Sequence, residues 1–292
     1  MQEPTQGRGV MAERRVFDIG AVQVDHGIVG RVAELEAIRA CLAAGRHVLL
    51  EGPAGVGKTV LALAVARALG RPVFRVDGDG RFTEQKLVGH FDPPGVLRDG
   101  YRRGVFLKGP LVEAMERGGV LFINELNRMP EGVQNVLLPV LDEGRLVVPL
   151  LDSVVARPGF AVIATMNPRE FVATGHLSEA MLDRFELVVL DYQSEEEERE
   201  IVRRRTRGSV PEDLVVEAVR MVRATREHPS VLRGASVRAA IAMVEIARQL
   251  DRDDALTRAA AIALPTRIEL EDTEATGSED LVRELAAGKK NR

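Results

Sequence analysis

The chain has 292 residues, of which 45% are apolar and 29% are charged, as is usual for a protein with a packed core. Its 40 basic and 44 acidic residues give a net charge of −4, which argues against a broadly basic nucleic-acid surface and against membrane adhesion. A single cysteine excludes an intramolecular disulfide framework and fits a reducing, cytoplasmic location. No apolar run reaches the roughly 18 residues that a membrane span requires.

The first two thirds of the chain alternate short apolar runs with helical patterns. Residues 1–20 lack a sustained period, and we expect a flexible N-terminal tail there. The predicted strands are His47–Leu50, Val73–Asp77, Val120–Ile123, Phe160–Thr165 and Leu187–Asp191. The predicted helices are Glu34–Ala44, Val60–Leu69, Gln134–Glu143 and Ser178–Arg184. This alternation predicts an α/β domain over residues 21–193, with a parallel sheet covered on both faces.

Two insertions interrupt the alternation. Residues 91–109 hold two apolar stretches, Val96–Leu97 and Val105–Leu107, on either side of a polar turn. This arrangement predicts a hairpin in the connection before the third strand. The segment Leu146–Val155 predicts a second hairpin just before the fourth strand.

After Asp191 the pattern becomes entirely helical. Ser194 and Glu197 have the spacing of a capping box, and the charge run that follows is interpreted as a solvated helix face with i,i+4 pairs. The next predicted helices are Glu212–His228, Ser236–Leu250 and Ala255–Ala263. Residues 194–266 are therefore predicted to form a small all-α domain, and residues 267–292 a partly ordered C-terminal tail.

A glycine-rich segment between the first strand and the following helix matches the pattern G-x-x-x-x-G-K-[ST]. It consists of Gly52, Pro53, Ala54, Gly55, Val56, Gly57, Lys58 and Thr59. Its glycines let backbone N–H groups surround a polyphosphate, and the next helix adds its dipole. Lys58 is predicted to contact the β- and γ-phosphates, and the Thr59 hydroxyl to bind Mg²⁺.

The third predicted strand ends in two polar residues, Asn124 and Glu125. In P-loop NTPases a carboxylate at this strand end orders Mg²⁺ and its waters, and a following Glu polarises the attacking water. Glu125 suits the second role. Asn124 stands where Asp is usual and brings no negative charge, so either Mg²⁺ rests on Thr59 and the phosphates or hydrolysis is slow.

These motifs, together with two later ones, resemble those of AAA+ ATPases in their order along the chain. The later motifs are Thr165–Pro168 and Leu182–Phe185. The stretches NELNRMPEGVQNVLLPVLDEGRL, VIATMNP, LSEAMLDRFELV and GASVRA resemble the MoxR branch over about residues 22–265. The resemblance implies a doubly wound parallel-sheet P-loop domain followed by a small all-α lid.

The resemblance also implies roles for residues outside the P-loop. Asn167 matches sensor 1, which positions the lytic water or detects the γ-phosphate. Arg184 matches the arginine finger that reaches a neighbouring subunit's nucleotide, with Arg128 as the alternative trans-acting residue.

Two further segments of the resemblance concern the lid and the adenine base of the nucleotide. Arg238 matches sensor 2, with Arg233 as the alternative; family members often have Pro before this arginine, where the chain has Val237. Val29 and Gly30, followed by Arg31, resemble the segment that touches the adenine edge.

The function that the resemblance implies is Mg-ATP hydrolysis by a homo-oligomeric ring, expected to be a hexamer, that remodels or matures a client protein complex. A partner with a von Willebrand factor A domain is common in this branch. Two alternatives stay open: a non-hydrolysing, ATP-dependent scaffold, because of Asn124, and a nucleic-acid motor or loader of the same superfamily. The acidic balance makes nucleic acid the less favoured partner.

Overall fold

The computed structural model describes residues 16–151, 153–168, 177–206, 208–250, 253–271 and 278–288. Its strands, in chain order, are β1 (His47–Glu51), β2 (Val73–Asp77), β3 (Gly89–Phe91), β4 (Phe106–Lys108), β5 (Val120–Asn124), β6 (Arg145–Leu146), β7 (Val154–Val155), β8 (Ala161–Met166), β9 (Phe185–Val189), β10 (Val231–Arg233) and β11 (Glu269–Leu270).

The α-helices of the described residues follow the same numbering. They are α1 (Ile19–His26), α2 (Val32–Ala43), α3 (Lys58–Ala68), α4 (Glu84–Val88), α5 (Pro93–Asp99), α6 (Pro110–Arg117), α7 (Glu131–Asn135), α8 (Leu138–Glu143), α9 (Glu179–Leu182), α10 (Glu195–Arg205), α11 (Glu212–Glu227), α12 (Val237–Ala247), α13 (Ala255–Ala263) and α14 (Ser278–Ala286). Among them, none is long and apolar enough to cross a lipid bilayer.

The central sheet confirms the predicted parallel α/β architecture. Its five strands lie in the order β2-β5-β8-β1-β9, and every neighbouring pair is parallel. The middle strand β8 is buried along its whole length, which explains its continuous apolar run. Because all five strands run the same way, their carboxyl ends meet at one edge of the sheet, and the chain enters the P-loop from β1 at that edge.

Helix α3 connects the P-loop to the core behind the sheet. Its residues Leu61, Ala62 and Val65 are at most 2% exposed and pack in the same cluster as Phe122 of β5. Burying a leucine or valine side chain contributes about 1.5–3 kcal/mol. The start of α3, where Lys58 and Thr59 lie, is therefore fixed against the sheet.

Of the two predicted hairpins in the insertions, one differs from the structure. The first hairpin pairs β3 with β4, whereas Val96 and Leu97 lie in α5. The Asp92 carboxylate caps this helix by accepting a hydrogen bond from Gly95 N, and Pro93 occupies its first turn, where no N–H is needed. The second predicted hairpin is confirmed, since β6 pairs with β7 in antiparallel orientation.

The single helix predicted over Gln134–Glu143 is two helices, α7 and α8. Pro139 lies in the first turn of α8. It has no N–H to donate and its ring crowds the preceding turn, so a continuous helix is interrupted there.

The helical lid extends beyond the predicted boundary at residue 266. Strand β11 pairs with β10, and Leu281, Val282 and Leu285 of α14 are buried in the lid core. The segment predicted as a C-terminal tail therefore contributes to the lid. At the other end, the tail predicted over residues 1–20 is wrong from Phe17 onward, because Phe17 is buried and α1 begins at Ile19; residues 1–15 lie outside the described residues.

The capping box that opens the lid is confirmed, because Ser194 and Glu197 exchange both hydrogen bonds. The charge run behind it is not uniformly solvated. Glu195 pairs with Arg199 as predicted, but Glu198 is only 2% exposed. It faces inward because its carboxylate forms ion pairs with two arginines of α11.

Candidate functional site

The P-loop lies between β1 and α3, with its lysine turned back over the loop. Lys58 Nζ donates hydrogen bonds to the carbonyl oxygens of Gly52 and Pro53 at 2.6 and 2.8 Å. Gly55 has a φ of 85°, and a Cβ there would lie 2.1 Å from the Ser236 hydroxyl oxygen of the lid. Only glycine fits this close approach. The P-loop thus packs closely against Ser236, the residue that precedes α12.

A polar network joins the P-loop to the ends of three neighbouring strands. The Thr59 hydroxyl donates to Asn124 Oδ1 at 2.8 Å, and the Thr165 hydroxyl donates to the same oxygen at 3.1 Å. On its other side, Asn124 Nδ2 donates to Asp77 Oδ1 at 3.0 Å. The side chains predicted to serve magnesium, Thr59 and Asn124, are therefore in direct contact.

Glu125 follows Asn124 in a left-handed backbone conformation. Its φ of 58° is unfavourable for a residue with a Cβ, and its N–H donates to the Thr165 hydroxyl oxygen at 3.0 Å. The Glu125 carboxylate accepts a hydrogen bond from Arg128 Nη1 at 2.7 Å. Arg128, the alternative trans-acting residue, is thus engaged with the candidate base of its own chain.

Asp77 lies beside this network with a depressed pKa. The principal cause is hydrogen bonding from Arg75, aided by the arginine's charge and by the hydrogen bond from Asn124, whereas partial burial acts in the opposite direction. Asp77 therefore faces Asn124 as a carboxylate at neutral pH.

A cavity of about 270 Å³ lies beside the P-loop, between the α/β domain and the lid. Its lining is mostly apolar and includes Val29, Val60 and Ile241, with Arg31 and Arg238 among its cations. This is the chemistry expected of a pocket for a planar base. Gly30 stands next to the lining, and its carbonyl accepts a hydrogen bond from Gln23 Nε2 at 2.6 Å.

Arg31 connects this cavity to both neighbouring segments of the α/β domain. Its Nη2 donates to the carbonyl oxygens of Val56 at 3.0 Å and Asp191 at 2.7 Å. Close by, Gln193 Nε2 donates to the Val29 carbonyl oxygen at 2.6 Å. The predicted adenine segment is therefore bound to the P-loop and to the connection into the lid.

A second cavity, of about 180 Å³, brings the sensor candidates to the P-loop. It is lined by Pro53, Ala54, Gly55, Asn167, Tyr192, Arg233, Gly234, Ser236, Arg238, Thr266 and Arg267. A larger open groove of about 1280 Å³ lies elsewhere, between α2 and the segment before β8, and no P-loop residue lines it.

The arginine candidates are placed differently. Arg238 lines both cavities and forms no ion pair within the described residues, whereas Arg233 pairs with Glu269 at 3.4 Å. This geometry favours Arg238 as the lid arginine at the nucleotide. Arg184 lines neither cavity: its Nη2 lies 2.5 Å from an Asp142 carboxylate oxygen.

Sequence reasoning missed three residues of this site: Asp77, Thr165 and Arg267. Asp77 ends a predicted strand, so its position at the carboxyl edge of the sheet was a usable signal. Thr165 was recognised only as part of a motif, although its fully buried hydroxyl connects Asn124 to Glu125. For Arg267, which falls in the predicted tail, no local signal existed.

The residues present are compatible with Mg²⁺ beside a polyphosphate. Magnesium prefers oxygen ligands, keeps several waters and is usually bound through phosphates rather than by an all-protein cage. Thr59 Oγ1 and Asn124 Oδ1 provide neighbouring oxygens next to the P-loop. The described part of the chain contains no group of three His, Cys, Asp or Glu side chains that could hold a metal.

Comparisons with known proteins identify the family and the fold. Residues 47–185 match the family model of the AAA domain, dynein-related subfamily. The gas vesicle ATPase GvpN of Haloferax mediterranei is 36% identical; the match covers 71% of this chain and 64% of that protein. The gas vesicle ATPase GvpN2 of Halobacterium salinarum is 33% identical, with 80% of this chain and 71% of that protein covered. The chain thus spans slightly less than two thirds of the Haloferax relative.

Solved structures show the same fold. A putative ATPase from Cytophaga hutchinsonii superposes with a TM-score of 0.51 at 22% identity, covering 93% of this chain and 94% of that one. A mutant of RuvB from Thermotoga maritima gives a TM-score of 0.53 at 20% identity, covering 80% and 71%. At such identities the likeness concerns the fold alone. The relatives and the matched domain show that the chain belongs to the AAA+ P-loop ATPases of the MoxR type.

Proposed function

We propose that this chain binds Mg-ATP between its α/β domain and its lid and hydrolyses it in a homo-oligomeric ring, using the energy to remodel or mature a client protein complex. The observation that carries the proposal is that P-loop residues, Asn167 and Arg238 line adjoining cavities, while Thr59 of the P-loop contacts Asn124, the strand-end residue that precedes Glu125. Family membership supports nucleotide binding in the same place.

Each part of the site has a chemical task in this proposal. P-loop N–H groups and Lys58 hold the phosphates, the lysine exchanging its carbonyl partners for phosphate oxygens. Thr59 and Asn124 would hold Mg²⁺ on the protein side, and the ion would supply positive charge that offsets the charge of the phosphates. Glu125 accepts a hydrogen bond from the attacking water, whose oxygen bonds to the γ-phosphorus as the bond to the β–γ bridging oxygen breaks. Asn167 helps to position that water.

Completion of the site requires a second subunit in this proposal. Arg184 lies outside the cavities of its own chain and is held by Asp142, which is compatible with presentation to a neighbour. An arginine that reaches the γ-phosphate stabilises the charge of the transition state and typically raises the rate by about 10³–10⁵. We expect the ring to be a hexamer in the cytoplasm.

The relatives suggest where to look for the client. Two proteins at 36% and 33% identity are named gas vesicle ATPases, so we propose that the client belongs to a gas vesicle assembly. A partner with a von Willebrand factor A domain stays a prediction of the sequence resemblance. Affinity purification from native cells with the Glu125→Gln variant as bait tests both.

The primary test compares Lys58→Ala with Lys86→Ala, a surface lysine near the Phe82 ring and outside both cavities. Loss of a charged hydrogen-bonding partner costs about 1.5–3 kcal/mol, so the Kd for a non-hydrolysable ATP analogue should rise about 10- to 150-fold in the first variant only. Calorimetric titration measures it. Equal affinity in the two variants contradicts the P-loop assignment.

Steady-state turnover separates the alternatives. Glu125→Gln should bind ATP normally and lose about 10²-fold or more in rate, because the water loses its carboxylate partner. Background turnover in the unmodified protein, with tight ATP binding, indicates the non-hydrolysing scaffold. Salt-sensitive DNA binding that stimulates hydrolysis indicates the nucleic-acid motor.

A further inference from the structure

The strand end that faces the P-loop threonine lacks a carboxylate, but the adjacent strand provides one. Asp77 is the last residue of β2 and stands in register with Asn124, the last residue of β5. The side chains meet through the hydrogen bond from Asn124 Nδ2 to Asp77 Oδ1 at 3.0 Å. The Asp77 carboxylate, hydrogen-bonded to Asn124, therefore carries the negative charge that position 124 lacks.

This contact determines which end of the amide faces the P-loop. An asparagine amide has one accepting and one donating end, and an ionised carboxylate only accepts. Asp77 consequently binds the NH₂ end. The oxygen is left toward Thr59, whose hydroxyl donates to it at 2.8 Å.

A second hydroxyl supports the same orientation. Thr165 Oγ1 accepts the Glu125 N–H at 3.0 Å, which leaves its proton to be donated to Asn124 Oδ1 at 3.1 Å. If the amide were turned over, its NH₂ would face these two hydroxyls and its oxygen would face the Asp77 carboxylate. The three partners therefore select one orientation together, and Asp77 is the only charged member among them.

We propose that Asp77 is a positioning residue for the magnesium site, and that Asp77 and Asn124 together replace the single carboxylate usual at the end of this strand. Asp77 holds the amide oxygen of Asn124 toward Thr59 and polarises the amide through their hydrogen bond. This inference rests on the proposed function, because it concerns the Mg²⁺ that accompanies ATP.

The inference predicts that the two side chains can be exchanged. Asp77→Asn removes the charge and the group that orients the amide. Asn124→Asp alone places two carboxylates against each other, and such like-charged neighbours oppose each other's ionisation. The double exchange, Asp77→Asn with Asn124→Asp, restores one carboxylate and one amide and moves the charge directly beside Thr59.

The measurement is the affinity for a non-hydrolysable ATP analogue with Mg²⁺ and with EDTA, which gives the magnesium-dependent gain in affinity without turnover. We expect Asp77→Asn to reduce this gain about tenfold while the affinity in EDTA stays within about twofold. The double exchange should bring the gain back to within about threefold of the unmodified protein.

Arg75→Gln is the control for a purely structural role. Arg75 forms an ion pair with Asp77 at 2.7 Å and lines neither cavity, so this variant removes the ion pair and leaves the contact with Asn124. It should keep the gain within about threefold. An equal loss in Arg75→Gln and Asp77→Asn, an unchanged gain in Asp77→Asn, or a double exchange no better than the single variants would overturn the inference.

Failure of this inference can be distinguished from failure of the proposed function. If the unmodified protein binds the analogue and Lys58→Ala does not, the P-loop assignment holds whatever happens at Asp77. If the unmodified protein binds no nucleotide in either buffer, the proposed function itself is wrong, and the inference falls with it.

Discussion

Replacing Glu198 with glutamine should destabilise the lid by about 3 kcal/mol. Glu198 is 2% exposed, and its Oε1 and Oε2 lie 2.8 Å from Arg226 and 3.1 Å from Arg223. Arg226 also donates to the Ala235 carbonyl oxygen and stacks on Tyr192, with 3.8 Å between the guanidinium carbon and the ring centroid. One carboxylate thus holds two arginines of α11 against α10.

The magnitude follows from what glutamine cannot do. Its amide oxygen can accept from one arginine, but its NH₂ faces the other, and a guanidinium accepts no hydrogen bond. Removing one partner of a buried ion pair costs about 3–5 kcal/mol. The Arg226 side chain is 12% exposed and that of Arg223 is 31% exposed, so solvent compensates partly at Arg223 and the lower end of that range applies.

The assay is chemical denaturation followed by circular dichroism, with Glu195→Gln as the matched control on the same helix. Glu195 pairs with Arg199, but their side chains are 38% and 28% exposed, and such surface pairs contribute a few tenths of a kcal/mol. If both variants lower the free energy of unfolding by the same small amount, the reasoning about the buried carboxylate is refuted.

Two further predictions concern the nucleotide cleft and the sheet. In calorimetry, Arg238→Ala should weaken binding of an ATP analogue about tenfold or more. Arg233→Ala should change the affinity less than about threefold, because Arg233 is paired with Glu269. A larger loss in Arg233→Ala than in Arg238→Ala would exchange the roles of the two arginines. Burial lowers the pKa of His47 to about 4 from its ordinary value of 6.5, so the unfolded chain binds more protons between these pH values. The free energy of unfolding should therefore fall by up to about 3 kcal/mol as the pH drops through this window. The fall should be smaller in His47→Asn. An equal dependence on pH in the two proteins would contradict the prediction.

The parts of the site that depend on local sequence could be predicted. The P-loop is a contiguous pattern between a strand and a helix, so its position follows from neighbouring residues alone. Asn124 and Glu125 could be placed for the same reason, since they end an apolar run. The contact between Asp77 and Asn124 could not be placed this way, because it depends on β2 lying beside β5, and strand order is not determined by any short segment.

The remaining errors involve signals that compete locally. Asp92 followed by two prolines favours a helix start, whereas the two apolar stretches on either side of the polar turn at Arg98–Gly104 favour a hairpin. For Glu198, the charged neighbours in the chain favour a solvated helix face. Its spacing of four residues from the buried Val202 places both on one face of α10, which was a usable signal for burial.

Because β11 and α14 pack against the lid, they determine the shortest fragment of the chain that keeps the lid core covered. A version shortened at residue 266 would lack Arg267, a cation of the cleft wall, and would expose the apolar patch that Leu281, Val282 and Leu285 cover. Experiments on isolated fragments should therefore retain the chain through Gly288, the last residue of the turn that follows α14.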